Sequence, residues 1–266
     1  MNASQTLQNR YEEVRNRVGE ACARAGRSPT SVILVAVAKY AEIDDIRELI
    51  ELGHRDFGEN RVQQLVQRAA VVKDWFDRMS VLERTRAQRT EDASAPGAFD
   101  PSKPVRWHMI GSLQRNKARK VVEFSRLIHS VDSLRLAEEL QVIANKRDEV
   151  IDVLIQVNCS GEEQKHGCPV PAAGVLAEQI DTMINVRVRG LMTMAEQTDD
   201  RDKIRSTFRR CRELFEDIRH EGAGEGRFDL LSMGMSGDYE IALEEGANIV
   251  RVGSSIFGER PEPVEA

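Results

Sequence analysis

The feature of this sequence that most constrains its fold is a regular alternation of short apolar runs with longer amphipathic stretches. Short apolar runs separated by helical patterns are typical of parallel β-strands joined by α-helices. The predicted strands are Val32–Ala38, Arg55–Gly58, Val105–Gly111, Leu127–Val131, Val153–Asn158, Val186–Met194, Phe228–Met233 and Ile249–Gly253. Eight units in 266 residues favour an α/β fold of the TIM (β/α)8 barrel type, and the alternative is an open doubly wound sheet.

Helical spacing of apolar residues over residues 4–25 predicts an extra N-terminal helix ahead of the barrel. Later helices are expected at Ile43–Leu52, Ser133–Lys146, Pro171–Ile184, Asp202–Arg219 and Asp238–Glu245. Residues 80–104 interrupt this alternation, because they are rich in Ala, Ser, Pro and charged residues. We expect a long, partly mobile loop there, inside a single domain that covers residues 1–266.

Composition excludes several classes of protein. The formal net charge is −6 and no basic stripe is present, so nucleic acid is not expected as a partner. No apolar run reaches the roughly 20 residues that span a bilayer, and the polar N-terminus lacks a secretory signal. We therefore expect a cytoplasmic protein. The group Cys159, His166 and Cys168 matches no common zinc spacing, so we expect free thiols and no metal.

Lys39 directly follows the first predicted strand and would lie at the mouth of a barrel. A lysine that a rigid sheet holds there loses part of its hydration, which favours the neutral amine. Neutral lysine amines form Schiff bases with aldehydes. Taken alone, the pattern more often marks a lysine that extends to solvent.

Two small-residue loops follow the last two predicted strands, where TIM barrels often bind phosphate. They contain Ser236-Gly237 and Gly253-Ser254. Small residues let the backbone approach an anion, and hydroxyl and N–H groups can hydrogen-bond to it. A serine helix cap would explain either loop alone, but the two together predict a phosphate site.

Four other residues at strand ends are candidates for ligand contacts. Arg251 would donate a hydrogen bond to a ring nitrogen or an anion, or would pair with a barrel carboxylate such as Glu59. Asn60 fits a helix cap equally well, and His108 fits a core histidine equally well. Met233 belongs to a methionine pattern that more often lines a barrel core.

A Schiff-base lysine and a phosphate site together predict a ligand that has both an aldehyde and a phosphate group. Pyridoxal 5'-phosphate (PLP), the vitamin B6 cofactor, fits this description. The alternative is a Schiff-base aldolase that acts on a phosphorylated sugar without a cofactor.

Through these residues the sequence resembles the pyridoxal phosphate homeostasis proteins, single-domain relatives of the N-terminal barrel of alanine racemase. The matching segments are Val35-Ala-Val-Ala-Lys39, Phe57-Gly-Glu-Asn-Arg-Val62, Trp107-His-Met-Ile-Gly-Ser-Leu-Gln-Arg-Asn-Lys117, His129-Ser-Val-Asp132, Gln156-Val-Asn158, Gly190-Leu-Met-Thr-Met194, Leu231-Ser-Met-Gly-Met-Ser-Gly-Asp238 and Val250-Arg-Val-Gly-Ser-Ser-Ile-Phe-Gly258. They extend in order over nearly the whole chain. Two departures, Ser112 in place of the usual proline and the insertion at 80–104, leave Lys39 and the phosphate loops untouched.

The resemblance implies that Lys39 carries PLP as a Schiff base and that Arg251 faces the pyridine nitrogen. An arginine at that position keeps the nitrogen unprotonated and makes the ring a weaker electron sink. The phosphate would be held by Ser236, Gly237, Gly253 and Ser254. The ring pocket would be lined by Asn60, His108 and Met233.

The resemblance also implies a role in PLP homeostasis without catalytic turnover. Alanine racemase uses a tyrosine as its second base and has a C-terminal domain that we do not expect here, because the chain ends eight residues after Gly258. Tyr40 and Tyr239, near the predicted barrel mouth, stay open as bases. We expect a PLP carrier, monomeric or weakly dimeric, with PLP-dependent apoenzymes as candidate recipients. The alternative is a weak PLP-dependent amino-acid racemase.

Overall fold

A computed structural model describes residues 6–87, 100, 102–162 and 166–258. Within these residues, eight parallel strands form the barrel: β1 (Ile33–Val37), β2 (Asp56–Glu59), β3 (Arg106–Met109), β4 (Ser125–Val131), β5 (Ile151–Asn158), β7 (Val186–Met192), β8 (Leu230–Ser232) and β9 (Ile249–Val252). Neighbours follow the order β4-β3-β2-β1-β9-β8-β7-β5, and pairing of β4 with β5 closes the ring. A two-residue strand, β6 (Cys168–Pro169), pairs with the last two residues of β5 outside the ring. The closed barrel confirms the predicted fold over the open sheet.

Helices lie around the outside of the barrel, and all but the first and the last of them lie between two strands in the chain. They are α1 (Leu7–Arg24), α2 (Ile43–Glu51), α3 (Val62–Ala87), α4 (Ala118–Val122), α5 (Leu134–Arg147), α6 (Ala173–Asp181), α7 (Arg201–His220), α8 (Tyr239–Glu244) and α9 (Ser254–Phe257). None of the helices in the described part of the chain has the length and apolar content that crossing a bilayer requires.

The extra N-terminal helix is confirmed as α1, which packs against α8 and α9. Thr6 caps it, since its side chain accepts a hydrogen bond from the Asn9 backbone N–H. On the barrel side, Arg10 Nε donates to the Ile256 carbonyl oxygen at 2.8 Å. Because α9 follows one of the predicted phosphate loops, α1 supports that loop from behind.

The predicted loop at 80–104 is wrong over its first part, because α3 continues to Ala87. Val81 and Leu82 are 61% and 62% exposed, so burial of these two side chains does not hold the helix together. Leucine, glutamate, arginine and alanine make up most of the segment 80–87, and their helix propensity favours the helix. Residues 88–99 and 101 of the predicted loop lie outside the described residues.

Apolar and polar side chains both fill the barrel interior. An apolar cluster contains Val35, Leu127, Leu154, Met192 and Ile249. Buried polar side chains lie alongside this cluster: Asp56, His108, His129, Ser232 and Arg251. Branched apolar residues usually fill such barrels, so the polar side chains need hydrogen-bond partners to be tolerated.

Strands β7 and β8 approach each other closely at Gly190. Its φ is +146°, and a Cβ there would lie 1.8 Å from the Leu230 carbonyl oxygen. Any side chain would therefore push apart β7, which leads to the Thr193 region, and β8, which leads to the Ser236-Gly237 loop.

Candidate functional site

A cavity of about 790 Å³ opens at the carboxyl ends of the barrel strands. Its size falls within the range of small-molecule sites, and its position is where TIM barrels carry their ligands. Seven of the nine residues predicted to bind the cofactor lie on its wall: Lys39, Asn60, Ser236, Gly237, Arg251, Gly253 and Ser254. Residues that are far apart in the sequence are thus brought around one space.

Lys39 lies on the cavity wall in a tight turn directly after β1. The Ala41 backbone N–H donates to the Ala38 carbonyl oxygen at 3.0 Å and closes the turn. The Lys39 Nζ atom lies 4.5 Å from the centroid of the Tyr40 ring, where a cation is attracted to the ring face. The amine is therefore held at the cavity by the turn and by its aromatic neighbour.

Arg68, on α3, holds the same turn from behind. Its guanidinium donates to the carbonyl oxygens of Ala38 and Ala41, the latter at 2.8 Å, and forms an ion pair with Glu59. Burial raises the pKa of Glu59, and the positive charge of Arg68 opposes that shift. Glu59 is therefore the partner of Arg68, and the proposed pairing of Glu59 with Arg251 is wrong.

Sequence reasoning missed Arg68, although a signal was present. Arg68 lies between Leu65 and Val72, which are fully buried on α3. The spacing of three and four residues places Arg68 on the inward face of the helix. A charged residue on that face indicates a buried partner.

The two predicted phosphate loops are joined through Ser236. The Ser236 Oγ accepts a hydrogen bond from the Gly253 N–H at 3.1 Å. Among the described residues, the backbone N–H groups of Ser236, Gly237 and Ser254 donate to no protein acceptor. Three N–H groups at the cavity wall and the Ser254 hydroxyl are the donors that a phosphate group requires. The residues therefore fit the predicted anionic group.

Arg251 forms part of the cavity wall and is only 4% exposed. Its Nη1 atom donates to Ser232 Oγ at 2.7 Å, and its Nη2 atom donates to the Thr193 carbonyl oxygen at 3.0 Å. Burial lowers the pKa of Arg251 to about 10, while the negative charge of Asp238 acts in the opposite direction. Arg251 therefore remains a cation at neutral pH and can only donate hydrogen bonds.

The structure does not bring His108 and Met233 to the cavity wall. His108 is 2% exposed and hydrogen-bonds within the barrel, to Asp56 and His129, as the alternative of a core histidine predicted. Met233 is fully buried in the core between strands and helices, because it follows the inward-facing Ser232 and alternation turns it outward. Contacts of these two residues with a ligand stay predictions without geometric support.

The cavity wall also includes residues that the sequence did not single out, in the segment 195–199 after β7. Tyr40, one of the two tyrosines that stayed open as bases, lies on the wall as well. The segment has no motif or periodicity that would have marked it. Tyr239, by contrast, is 1% exposed and lies off the cavity wall, so it does not face a ligand there.

Comparison with known proteins gives consistent results. The sequence profile of the alanine racemase N-terminal domain matches residues 7–261. The chain is 36% identical over 251 residues to a pyridoxal phosphate homeostasis protein from Aquifex aeolicus, covering 94% of this chain and 97% of that protein. It resembles the crystal structure of an unknown protein from Bifidobacterium adolescentis, with a TM-score of 0.79, 36% identity and 94% coverage of both chains.

A further solved structure is that of PipY from Synechococcus elongatus with PLP bound. The TM-score is 0.70 and the identity is 31%, over 91% of this chain and all of the other. Alanine racemases share the fold at lower identity, as the Streptomyces coelicolor enzyme does at 20% with a TM-score of 0.62. This chain covers 58% of that enzyme.

Proposed function

This chain belongs to the pyridoxal phosphate homeostasis protein family, within the proteins that contain the alanine racemase N-terminal domain, and on that premise we propose that it binds PLP covalently through Lys39. The observation that carries the proposal is the placement of the Lys39 amine, the Arg251 cation and the unpaired phosphate-loop N–H groups around one cavity. The PipY structure, which contains PLP, supports the same ligand for a related chain.

In the proposed complex each residue has a separate task. The Lys39 amine condenses with the aldehyde, so that one C=N bond forms and one water molecule leaves. The loop N–H groups of Ser236, Gly237 and Ser254 bind the phosphate. Arg251 donates a hydrogen bond to the ring nitrogen, because a guanidinium has no acceptor atom. When bound, PLP supplies an electrophilic carbon and a conjugated ring that withdraws electrons.

We propose that the protein stores or delivers PLP without catalysing a reaction of its own. A cationic donor at the ring nitrogen does not add a proton to it, so the ring is a weaker electron sink. Tyr40 is the tyrosine that lies on the cavity wall, and it lies beside Lys39, not across from it. Racemisation requires bases on opposite faces of the substrate. Delivery to PLP-dependent apoenzymes is consistent with an amine at the cavity mouth.

A titration tests ligand choice. We expect the protein to bind PLP much more tightly than pyridoxal, which has the same aldehyde and ring but lacks the phosphate. Several charge-assisted hydrogen bonds, each worth about 1.5–3 kcal/mol, predict a difference of at least about 100-fold. Absorption spectroscopy during the titration measures both affinities. Equal affinities would contradict the phosphate site, whereas no visible band with either compound would contradict the proposed function.

Proton exchange tests the absence of turnover. The PLP-loaded protein is incubated with a panel of amino acids in deuterated water, and incorporation of deuterium at the α-carbon is followed by mass spectrometry. We expect exchange no faster than free PLP gives at the same concentration. Exchange at enzymic rates, of about 1 per second or more, would support the alternative racemase instead.

A further inference from the structure

A buried chain of hydrogen bonds runs through the barrel from Arg251 to Asp56. Arg251 Nη1 lies 2.7 Å from Ser232 Oγ, and Ser232 Oγ lies 3.0 Å from His129 Nδ1. His129 Nε2 lies 2.9 Å from His108 Nδ1, and His108 Nε2 lies 3.1 Å from Asp56 Oδ1. All five residues are buried. Asp56 begins β2 at the lower end of the barrel, and Arg251 forms part of the cavity wall at the upper end.

The Asp56 end of this chain fixes the direction of its first hydrogen bond. Burial alone would raise the pKa of Asp56, but hydrogen bonds from Arg106 and His108 outweigh burial and hold the pKa well below its usual range. An ionised carboxylate only accepts, so His108 Nε2 carries a proton. With its proton on Nε2, His108 can accept a hydrogen bond at Nδ1, and His129 Nε2 is the atom 2.9 Å away that can donate it.

The Arg251 end requires the same direction. The guanidinium only donates, so Ser232 Oγ accepts and keeps one proton of its own. Within the described residues, His129 Nδ1 is the acceptor within reach of that proton. His129 is neutral because burial, together with the charge of Arg251, lowers its pKa well below the usual value. The Arg251 end of the chain therefore assigns the Nε2–H tautomer to His129, and the Asp56 end is compatible with that assignment.

This chain of hydrogen-bonded polar side chains, from Arg251 to Asp56, is unusual in the interior of a barrel. Its neighbours in the interior are the apolar cluster of Val35, Leu127, Leu154, Met192 and Ile249. Apolar residues could fill the same space without the requirement that every donor and acceptor be satisfied. What the polar chain supplies, and an apolar filling would not, is a fixed set of partners for the buried guanidinium of Arg251.

We propose that Ser232, His129, His108 and Asp56 are positioning residues that fix the orientation of the Arg251 guanidinium and, through it, the electronic state of the bound ring. The part that concerns the ring rests on the proposed function. The tautomers of the two histidines do not, since they follow from contacts in the protein alone.

Nitrogen NMR tests the tautomers without any ligand. Histidine labelled with ¹⁵N is incorporated into the protein, and long-range ¹H–¹⁵N correlations are recorded at neutral pH. We expect a protonated Nε2 and an unprotonated Nδ1 in both His108 and His129. An Nδ1–H tautomer or an imidazolium form for either ring would overturn the proposal.

A pair of serine variants tests the link to the ligand. Ser232 and Ser130 are both fully buried, but Ser130 Oγ has no hydrogen-bond partner among the described residues. We expect Ser232→Ala to change the ring pattern of His129, to shift the absorption maximum of the PLP-loaded protein and to weaken PLP binding about fivefold. Ser130→Ala should leave all three unchanged. Indistinguishable effects of the two variants would overturn the proposal.

PLP uptake and the ¹⁵N spectra separate failure of the proposed function from failure of the positioning role. If the parent protein takes up no PLP, the proposed function is wrong, and the ¹⁵N spectra still decide whether the hydrogen-bond chain exists. If the parent protein binds PLP at Lys39 but the tautomers differ from those expected, the proposed function stands and the positioning role is wrong.

Discussion

Replacing Lys39 by alanine is expected to abolish the covalent attachment of PLP. The amine at this position lies on the wall of the same cavity as the phosphate loops, and alanine provides no nitrogen for the C=N bond. After incubation with PLP and removal of the excess, the parent protein should show a visible absorption band. After borohydride reduction it should also have gained the mass of one pyridoxyl group. Lys39→Ala should show neither.

A second lysine provides the control for this result. Lys117 is exposed, in the loop that follows β3. Lysines of this kind react with excess PLP without a binding site. Lys117→Ala should therefore retain the band and the mass gain of the parent protein. A Lys39→Ala variant that retains either one would contradict the assignment of Lys39.

Replacing Arg68 by methionine should lower the free energy of unfolding by about 3–5 kcal/mol, because it leaves the carboxylate of Glu59 buried without its cation. Glu59 has a fully buried side chain, and the Arg68 side chain is only 16% exposed. The same change frees the carbonyl oxygens of Ala38 and Ala41, so we also expect weaker uptake of PLP at Lys39. Chemical denaturation measures the first effect, and absorption spectroscopy the second.

The matched control lies on the same helix. Arg78 pairs with Asp74, but the two side chains are 68% and 69% exposed. Arg78→Met should therefore lower the free energy of unfolding by no more than about 1 kcal/mol. In Arg68→Met, the loss of unfolding free energy should become smaller as the pH falls towards the pKa of Glu59, because protonation removes the unpaired negative charge. Burial raises the pKa of Glu59 and so brings this effect to a higher pH. An equal loss of unfolding free energy in Arg68→Met and Arg78→Met would show that the buried Arg68–Glu59 pair stabilises the protein no more than an exposed pair does.

The parts of the fold that the sequence predicted share a physical cause. Strands such as Val32–Ala38 are apolar on both faces because a barrel strand packs inward on the barrel interior and outward on the helices. The same rule placed Lys39, Ser236 and Gly253 at strand ends, where the barrel brings them together. Most of the candidate site therefore followed from the order of the strands.

Other features depend on packing that a linear pattern does not contain. His108 faces the barrel interior as its strand position predicts, but the sequence does not show at which height along the axis a side chain lies. The contact of Arg68 with β1 and β2 depends on how α3 rotates against the sheet. The continuation of α3 to Ala87 follows helix propensity, which an apolar pattern does not reveal.

The most direct measurement asks which lysine carries the cofactor. The protein is loaded with one equivalent of PLP, reduced with borohydride and digested, and the pyridoxyl group is located by peptide mass spectrometry. We expect one pyridoxyl group per chain, on Lys39. A modification on another lysine, or spread over several exposed lysines, would contradict the proposal that this cavity binds PLP through Lys39.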